Sequence, residues 1–195
     1  MSDNKKPPIQ YIPKFVEFPT EAMSVLQKEL NWERREQTPR SEYYINTLGN
    51  IPYVYGVGNG RRRYDPRPIH PVIQSMIDEL KKLTGYDFEV CFLNRYHNQS
   101  DQLGWHSDDS PEMDDARPIV IISLGVEREI WFSEMKVVGD RKKPSSDVYR
   151  QKLEHGSLCL MQPGMQDTHL HRIPKASFLC GERISLTFRG YVKPK

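Results

Sequence analysis

The chain has 195 residues and a formal net charge of +2 at pH 7. That length suits one domain with a real hydrophobic core and leaves little room for two. The near-neutral balance excludes a chain-wide polyanion binder, so nucleic-acid affinity would have to come from local patches.

No apolar run approaches the roughly 18 residues of a membrane span, and Met1-Ser2-Asp3-Asn4-Lys5-Lys6 lacks the apolar core of a secretion signal. Cys91, Cys159 and Cys180 are far apart and form no CxxC pair. This argues against a zinc ribbon or a disulfide framework and fits a reducing compartment, cytoplasmic or nuclear, not a secreted protein.

Residues 1–14 hold prolines and lysines and read as a flexible tail, followed by a short strand at Phe15-Val16-Glu17-Phe18. Thr20 then suits an N-cap for a helix running to Leu30, with apolar residues at 22, 23, 26 and 30. Trp32 to Arg40 is charged and ends beyond a proline, as in an exposed strand or hairpin. Residues 43–69 are rich in Tyr, Gly, Asn, Pro and Arg and read as irregular, basic and aromatic. Within them Tyr53-Val54-Tyr55 alternates as a strand. Pro71 to Leu83 carries one apolar stripe (Val72, Ile73, Met76, Ile77, Leu80, Leu83), and Gly85 ends it.

From Asp87 the pattern changes to short strands: 88–96, 118–126, 129–135, 148–153, 157–162, 168–173 and 183–191. Runs at this spacing predict a mainly β protein, an antiparallel double-sheet jelly roll with the two helices on its outside. Gly139 to Ser146 reads as a long, mobile hairpin loop. The whole is one domain over 15–195: a lid region with its supporting helix at about 30–85, and a jelly-roll core at 87–192.

The chemistry centres on Asn94 to Asp109. His106 and Asp108 are two apart, so on a strand both point to one face. Non-haem Fe(II) oxygenases need two His and one carboxylate on one side of the metal, with the other side open. A second His must come from a later strand. His155 precedes Gly156 at a turn and is discounted. His169 and His171 are two apart, and periodicity does not separate them.

Asn94-x-Tyr96, His106-x-Asp108, His171-Arg172-Ile173-Pro174 and Arg183-Ile184-Ser185-Leu186-Thr187-Phe188-Arg189 occur in that order. In this the chain resembles the AlkB family of Fe(II)/2-oxoglutarate dioxygenases, which remove alkyl groups from nucleobases. The resemblance covers about residues 30–192 and picks His171 over His169. It implies a double-stranded β-helix fold and three co-reactants: Fe(II), 2-oxoglutarate and O2. His106, Asp108 and His171 would hold the metal.

The far carboxylate of 2-oxoglutarate needs a fixed cation, and the planar fork of Arg suits it. Arg183 and Arg189 are six apart on one strand face, with Ser185 and Thr187 between them. By the resemblance Arg183 takes the far carboxylate, and Arg189 lies near the metal end. Asn94, Tyr96 and Thr187 add hydrogen bonds. Ser185 stands where the family usually has Asn, so this corner of the pocket departs from the pattern. A zinc site from the same three ligands is the chemical rival, and the arginine pair favours the keto acid.

A base must leave its stack to be worked on, and aromatic faces receive it. By the resemblance Tyr53 and Tyr55 sit at the lid's aromatic pair, Trp32 contacts the duplex or the base, and Asp109 faces the target. A carboxylate there favours cationic lesions such as 1-methyladenine or 3-methylcytosine. Arg34, Arg35, Arg61, Arg62, Arg63 and Arg67 are candidates for phosphate contacts. Trp105 points to the strand face opposite His106 and reads as packing.

The resulting expectation is a monomeric oxidative demethylase of DNA, single- or double-stranded, with RNA as a second substrate class and release of formaldehyde, succinate and CO2. The alternatives are a dioxygenase acting on RNA or protein side chains, and a nucleic-acid-binding module with a vestigial site.

Overall fold

The structure, a computed structural model, describes residues 6–36, 38–55 and 61–192. Two antiparallel sheets face each other. The larger takes β1 (Ile9–Ile12), β11 (Ser157–Met161), β7 (Ile119–Gly125), β13 (Arg183–Arg189), β5 (Val90–Tyr96) and β2 (Ser41–Asn46), in that order. The smaller runs β10 (Tyr149–Leu153), β8 (Arg128–Val138), β12 (His169–Ile173), β6 (Leu103–His106), and β9 (Arg141–Pro144) pairs with the far end of β8. β3 (Tyr53–Tyr55) and β4 (Arg62–Tyr64) form a separate hairpin.

Strand alternation decides what each face of β13 meets. Ile184, Leu186 and Phe188 point outward and pack with Leu26 of α1 (Pro19–Glu29) and with Ile73, Met76 and Leu80 of α2 (Pro71–Thr84). Arg183, Ser185, Thr187 and Arg189 therefore point between the sheets, and all four are buried. β5 divides likewise: Cys91 and Leu93 join the helix layer, while Phe92, Asn94 and Tyr96 face inward. A second core of Ile119, Ile121, Ile130, Phe132, Leu153 and Met161 closes the interior below the polar residues.

α2 begins with Pro71, whose missing N–H costs nothing at a helix start, and ends at Gly85 in the left-handed region (φ 76°). Its N-cap is His70, whose ring nitrogen accepts from the Val72 N–H.

Several expectations are corrected. Ile9–Ile12 is a strand paired along β11, not a tail, while 13–18 forms turns and bends rather than a strand. A partner strand supplied from about 150 residues away is not visible in local pattern. α1 starts at Pro19 with Phe18 as its cap residue, so Thr20 lies inside the helix and its hydroxyl meets His155 instead. Ser41–Asn46, whose residues 43–46 read as irregular in the sequence, is a fully buried strand against β5. The 139–146 segment is largely an ordered hairpin, with Met135–Val138 paired to Arg141–Pro144. α3 (Met165–Thr168) has no counterpart among the expected elements. No helix among the described residues is long and apolar enough to cross a membrane.

Candidate metal and co-substrate site

β6 and β12 pair so that His106 and His171 lie directly opposite each other. Both side chains point between the sheets, with ring centroids 4.1 Å apart. Asp108 follows β6 and turns back to them. Its Oδ1 is 3.7 Å from His106 Nε2 and its Oδ2 3.6 Å from His171 Nε2. One donor atom from each of the three lies within 4.8 Å of the others. His169 does not reach this cluster: it stands opposite Glu134 of β8, and its Nδ1 meets the Thr168 hydroxyl at 2.8 Å. His155 accepts the Gly125 N–H at Nδ1, a structural contact that agrees with setting it aside.

The surroundings hold these donors ready. The His106 Nδ1 lies 2.9 Å from the Gly104 carbonyl, which can only accept, so the proton sits on Nδ1 and Nε2 is left with its lone pair. Burial, helped by His171, lowers the His106 pKa to about 4. Burial pushes the Asp108 carboxyl up, but Arg189 and the two imidazoles outweigh it and hold the group well below the usual carboxylate range. Arg189 Nη2 donates to Asp108 Oδ1 at 2.6 Å. The backbone N–H of Asp108 donates to Gln166 Oε1 of α3 at 2.9 Å. Gln166 is not visible in the sequence, because nothing in Gly164-Met165-Gln166 marks it. Two imidazoles and a carboxylate suit Fe(II), and other divalent metals as well.

Arg183 lies behind this cluster and is 0% exposed. Its Nε donates to Ser123 Oγ at 2.8 Å and its Nη2 to Ser185 Oγ at 3.3 Å. Its plane faces the Tyr96 ring at 5.2 Å. Nη1 is buried with no hydrogen-bond partner, and so is Nε of Arg189. No acidic side chain pairs with Arg183 among the described residues. Burial depresses its pKa to about 10, offset in part by Tyr96. An unpaired buried guanidinium is costly. A carboxylate ligand meeting Nη1 would satisfy it, so these residues fit the far end of a keto acid. Ser185 keeps a hydroxyl in reach of the arginine despite its short side chain.

Asn94 lies across from Ser185 in the strand register. Its Oδ1 accepts from Arg40 Nε, which leaves its Nδ2 free to donate. Arg40 also donates to Glu42 Oε1 at 2.7 Å. In the sequence Arg40 reads as one charge in a charged segment, yet it is 8% exposed. Thr187 and Tyr96 are buried on the inner faces of β13 and β5.

A cleft of about 70 Å³ opens above His106, Asp108 and Arg189, walled by Arg40, Tyr53, Tyr55, Arg62, Tyr64, Phe92, Asn94 and Leu103. A larger cavity of about 460 Å³ lies elsewhere, between residues 15–18 and the two helices, away from the donor cluster found among the described residues. The cleft is small because the β3–β4 hairpin lies over it. Tyr53 is buried, stacks on Tyr64 at 6.1 Å, and its hydroxyl meets Ser110 Oγ at 2.8 Å. Tyr55 is 43% exposed at the rim.

Two expected members stand apart from this cleft. The Trp32 indole packs against the helix layer, edge-on to Tyr43 at 6.2 Å, and donates to the Leu26 carbonyl. Asp109 turns to Lys142 of β9, with which it is ion-paired. Of the basic residues, Arg34, Arg35, Arg63 and Arg67 already meet Asp101, Glu33, Asp65 and Glu33. Arg62 remains at the cleft wall.

Comparison with known proteins agrees with this geometry. The sequence pattern of the 2OG-Fe(II) oxygenase superfamily matches residues 11–189. The chain is 29% identical over 180 residues to mouse "DNA oxidative demethylase ALKBH2", covering 92% of this chain and 72% of that protein. It is 32% identical over 197 residues to bovine "Alpha-ketoglutarate-dependent dioxygenase alkB homolog 3", covering 91% and 64%. The chain thus spans a little under two thirds of that bovine relative. Among solved structures, that of OsALKBH1 superposes with a TM-score of 0.62 at 15% identity, covering 95% of this chain and 98% of that one, a likeness of fold. Fe(II), 2-oxoglutarate and O2 are accordingly the cofactor set, and His106, Asp108 and His171 form the donor cluster that suits the metal. A buried His-Asp-His cluster, an arginine slot behind it and a match along nearly the whole chain converge on one conclusion: the chain belongs to the 2OG-Fe(II) oxygenase superfamily and, within it, to the AlkB family.

Proposed function

We propose that this chain oxidatively demethylates N-alkylated bases in DNA, with 1-methyladenine and 3-methylcytosine as the lesion class and RNA as the second substrate to test. The observation that carries this reading is that a tyrosine-walled cleft reaches His106 and Asp108 of the donor cluster, while a buried Arg183 with an unpartnered Nη1 points between the same two sheets. The names of the mouse and bovine relatives supply the substrate class and the co-substrate.

In this reading each side chain has one task. His106, Asp108 and His171 would hold Fe(II). Arg183 receives the far carboxylate on Nη1, with Ser123 and Ser185 fixing its plane. Asn94 donates from Nδ2 and Tyr96 lines the slot. Thr187 adds a hydroxyl, and Arg189 keeps Asp108 ionised. Tyr53 and Tyr55 form the aromatic wall, and the exposed Tyr55 ring is the one free to receive a base. Bound iron and 2-oxoglutarate supply the oxidation of the N-methyl carbon by O2, coupled to loss of CO2 and formation of succinate, after which formaldehyde leaves the base.

Asp109 keeps a part here at longer range, as a carboxylate next to the metal Asp whose charge raises the Tyr55 pKa after burial and Asp108. Trp32 keeps a part only through the sheet it braces. The catalytic unit is one domain that takes in β1, acting as a monomer. Three unpaired thiols suit a reducing compartment, cytoplasmic or nuclear.

Succinate release is the test, with Fe(II), ascorbate and 2-oxoglutarate, with and without oligonucleotides carrying 1-methyladenine in DNA or RNA. The expected result is succinate and formaldehyde in step with repair, abolished by His106→Ala or Asp108→Ala. No succinate under any condition rejects the enzyme, and succinate without repair of either polymer rejects the substrate.

A further inference from the structure

Behind the metal ligands, on the outer face of the smaller sheet, aromatic and cationic side chains alternate across four neighbouring strands. Trp105 is on β6, Arg172 on β12, Trp131 on β8 and Arg150 on β10. The Arg172 guanidinium lies 5.6 Å from the Trp105 ring centroid and 5.4 Å from that of Trp131. Arg150 lies 4.4 Å over the other end of the row, on Trp131. These distances are within the reach of cation–π attraction. Trp131 is itself anchored, its indole N–H donating to Glu129 Oε2 at 2.7 Å. Trp105 thus faces away from His106 as expected, but onto an arginine rather than into a core.

The row crosses a fault in the sheet. His171 pairs with His106, but two residues on Ile173 pairs with Leu103, three residues back. Gly104 and Trp105 therefore oppose Arg172 alone, a β-bulge in β6, and bulges re-aim neighbouring side chains. The side chain next to this one is His106. Its Nδ1–H donates to the carbonyl of Gly104, a residue of the bulge. The bulge thus decides where the acceptor for Nδ1 sits, and that acceptor decides where Nε2 points.

A bulge interrupts the backbone ladder, so side chains must hold it in register. Arg172 is placed to do this, lying between a ring in the bulge and a ring two strands away. Its Nε is buried without a hydrogen-bond partner, so on that side its contacts are the rings.

We propose that Trp105, Arg172 and Trp131 form a clamp that sets the β6 bulge and, through the Gly104 carbonyl, the orientation of the metal ligand His106. Arg172 and Trp105 are positioning residues that touch neither metal nor substrate. The proposal rests on the ligand reading given above.

The test is Co(II) titration of the full chain without co-substrate, read by the ligand-field absorption, with the melting temperature of the metal-free protein measured in parallel. Arg172→Met keeps the bulk and loses the cation. It is expected to weaken Co(II) binding about tenfold, the low end for residues that orient a ligand, with a melting temperature within a few degrees of wild type. Arg172→Lys is expected to recover most of the affinity. Trp105→Leu should behave like Arg172→Met. Lys152→Met removes an exposed cation near the same face and should change nothing.

Wild-type Co(II) affinity in folded Arg172→Met and Trp105→Leu overturns the clamp, as does an equal loss in Lys152→Met. If Arg172→Met fails to fold, Trp105→Leu decides: undiminished Co(II) affinity there overturns the clamp, and an about tenfold loss supports it. His106→Ala separates the two readings: retained Co(II) affinity there rejects the ligand assignment and the clamp together, whereas loss there with wild-type affinity in Arg172→Met rejects the clamp alone.

Discussion

Arg189 and Asp108 are joined at 2.6 Å, so the last strand of the larger sheet grips the carboxylate that completes the donor cluster of the smaller one. One oxygen of Asp108 meets a cation, while the other lies 3.6 Å from His171. Arg189 thus does in the metal-free protein part of what a metal would do, by compensating a buried negative charge.

Removing that cation should leave the charge uncompensated. Arg189→Met leaves Asp108 buried and unpaired, a change that typically costs roughly 3–5 kcal/mol. The metal-free variant is expected to melt well below wild type, and a saturating divalent metal should restore most of the difference by becoming the new partner of Asp108. Calorimetry with and without Co(II) measures both. An equal deficit with metal bound contradicts the role.

Arg183→Lys should weaken 2-oxoglutarate binding by about one to two orders of magnitude, because a lysine cannot present two donors in a plane and a hydrogen bond to a charged group contributes roughly 1.5–3 kcal/mol. Ser185→Ala should have a smaller effect, several-fold at most. Its hydroxyl touches the guanidinium at 3.3 Å, and Ser123 still holds the same group. Co-substrate titration of the metal-loaded protein separates them. Equal affinities for wild type and Arg183→Lys contradict the slot assignment.

Tyr55 and Trp32 should part company. Tyr55→Ala removes an exposed ring at the cleft and should raise KM for a methylated oligonucleotide roughly 5- to 100-fold, as expected from losing about 1–3 kcal/mol of base stacking. Succinate release without oligonucleotide should be unchanged. Trp32→Ala removes a half-buried ring and the hydrogen bond to Leu26 from the helix layer. It should lower the melting temperature and leave KM near wild type. Steady-state kinetics beside thermal melts give the answer, and the reverse pattern would put Trp32 on the substrate.

Acid stability should depend on Glu182. Burial pushes its pKa up, but Arg95, Gln27 and His97 outweigh burial and hold it below the ordinary value of 4.5. A carboxylate depressed in the folded state binds fewer protons there than in the unfolded chain. Its contribution is therefore complete above the unfolded value, near 4.5, and is lost as pH falls through the lower folded value. Glu182→Gln should be less stable than wild type at pH 7, and the gap should narrow below about pH 4.5. Urea denaturation at several pH values measures it. A gap that stays constant through the acid range would show that the charge is not what the contacts use.

Much of the site is legible in the sequence because its signals are local. The two-residue spacing of His106 and Asp108 marks the pair, although Asp108 lies just past the end of β6 and reaches the imidazoles by turning back rather than by strand pleat. The alternation from Arg183 to Arg189 sends four polar side chains inward and three apolar ones to the helices, as the structure has it. Pro71 and Gly85 bracket α2 by backbone constraints that any helix would feel.

What only the tertiary structure decided depends on pairings between distant segments, which local pattern does not encode. Periodicity leaves His169 and His171 equal, and the register of β12 on β6 sets His171 across from His106. The buried role of Arg40 follows from Asn94 lying 54 residues away, and that of Gln166 from Asp108 lying 58 away. Tyr53 and Tyr55 share a strand face, yet Tyr53 is buried beside Tyr64 and Phe92 while Tyr55 stays at the rim. The resemblance marks Trp32 as a substrate contact, but its place among the helices is a matter of packing. Sequence by itself determined which metal-donor and cationic side chains the chain offers, because strand alternation and residue type act over a few positions, and the ordered motifs that resemble the AlkB family named the chemistry. Long-range strand register decided which side chains meet, because contacts between strands depend on where the whole chain returns.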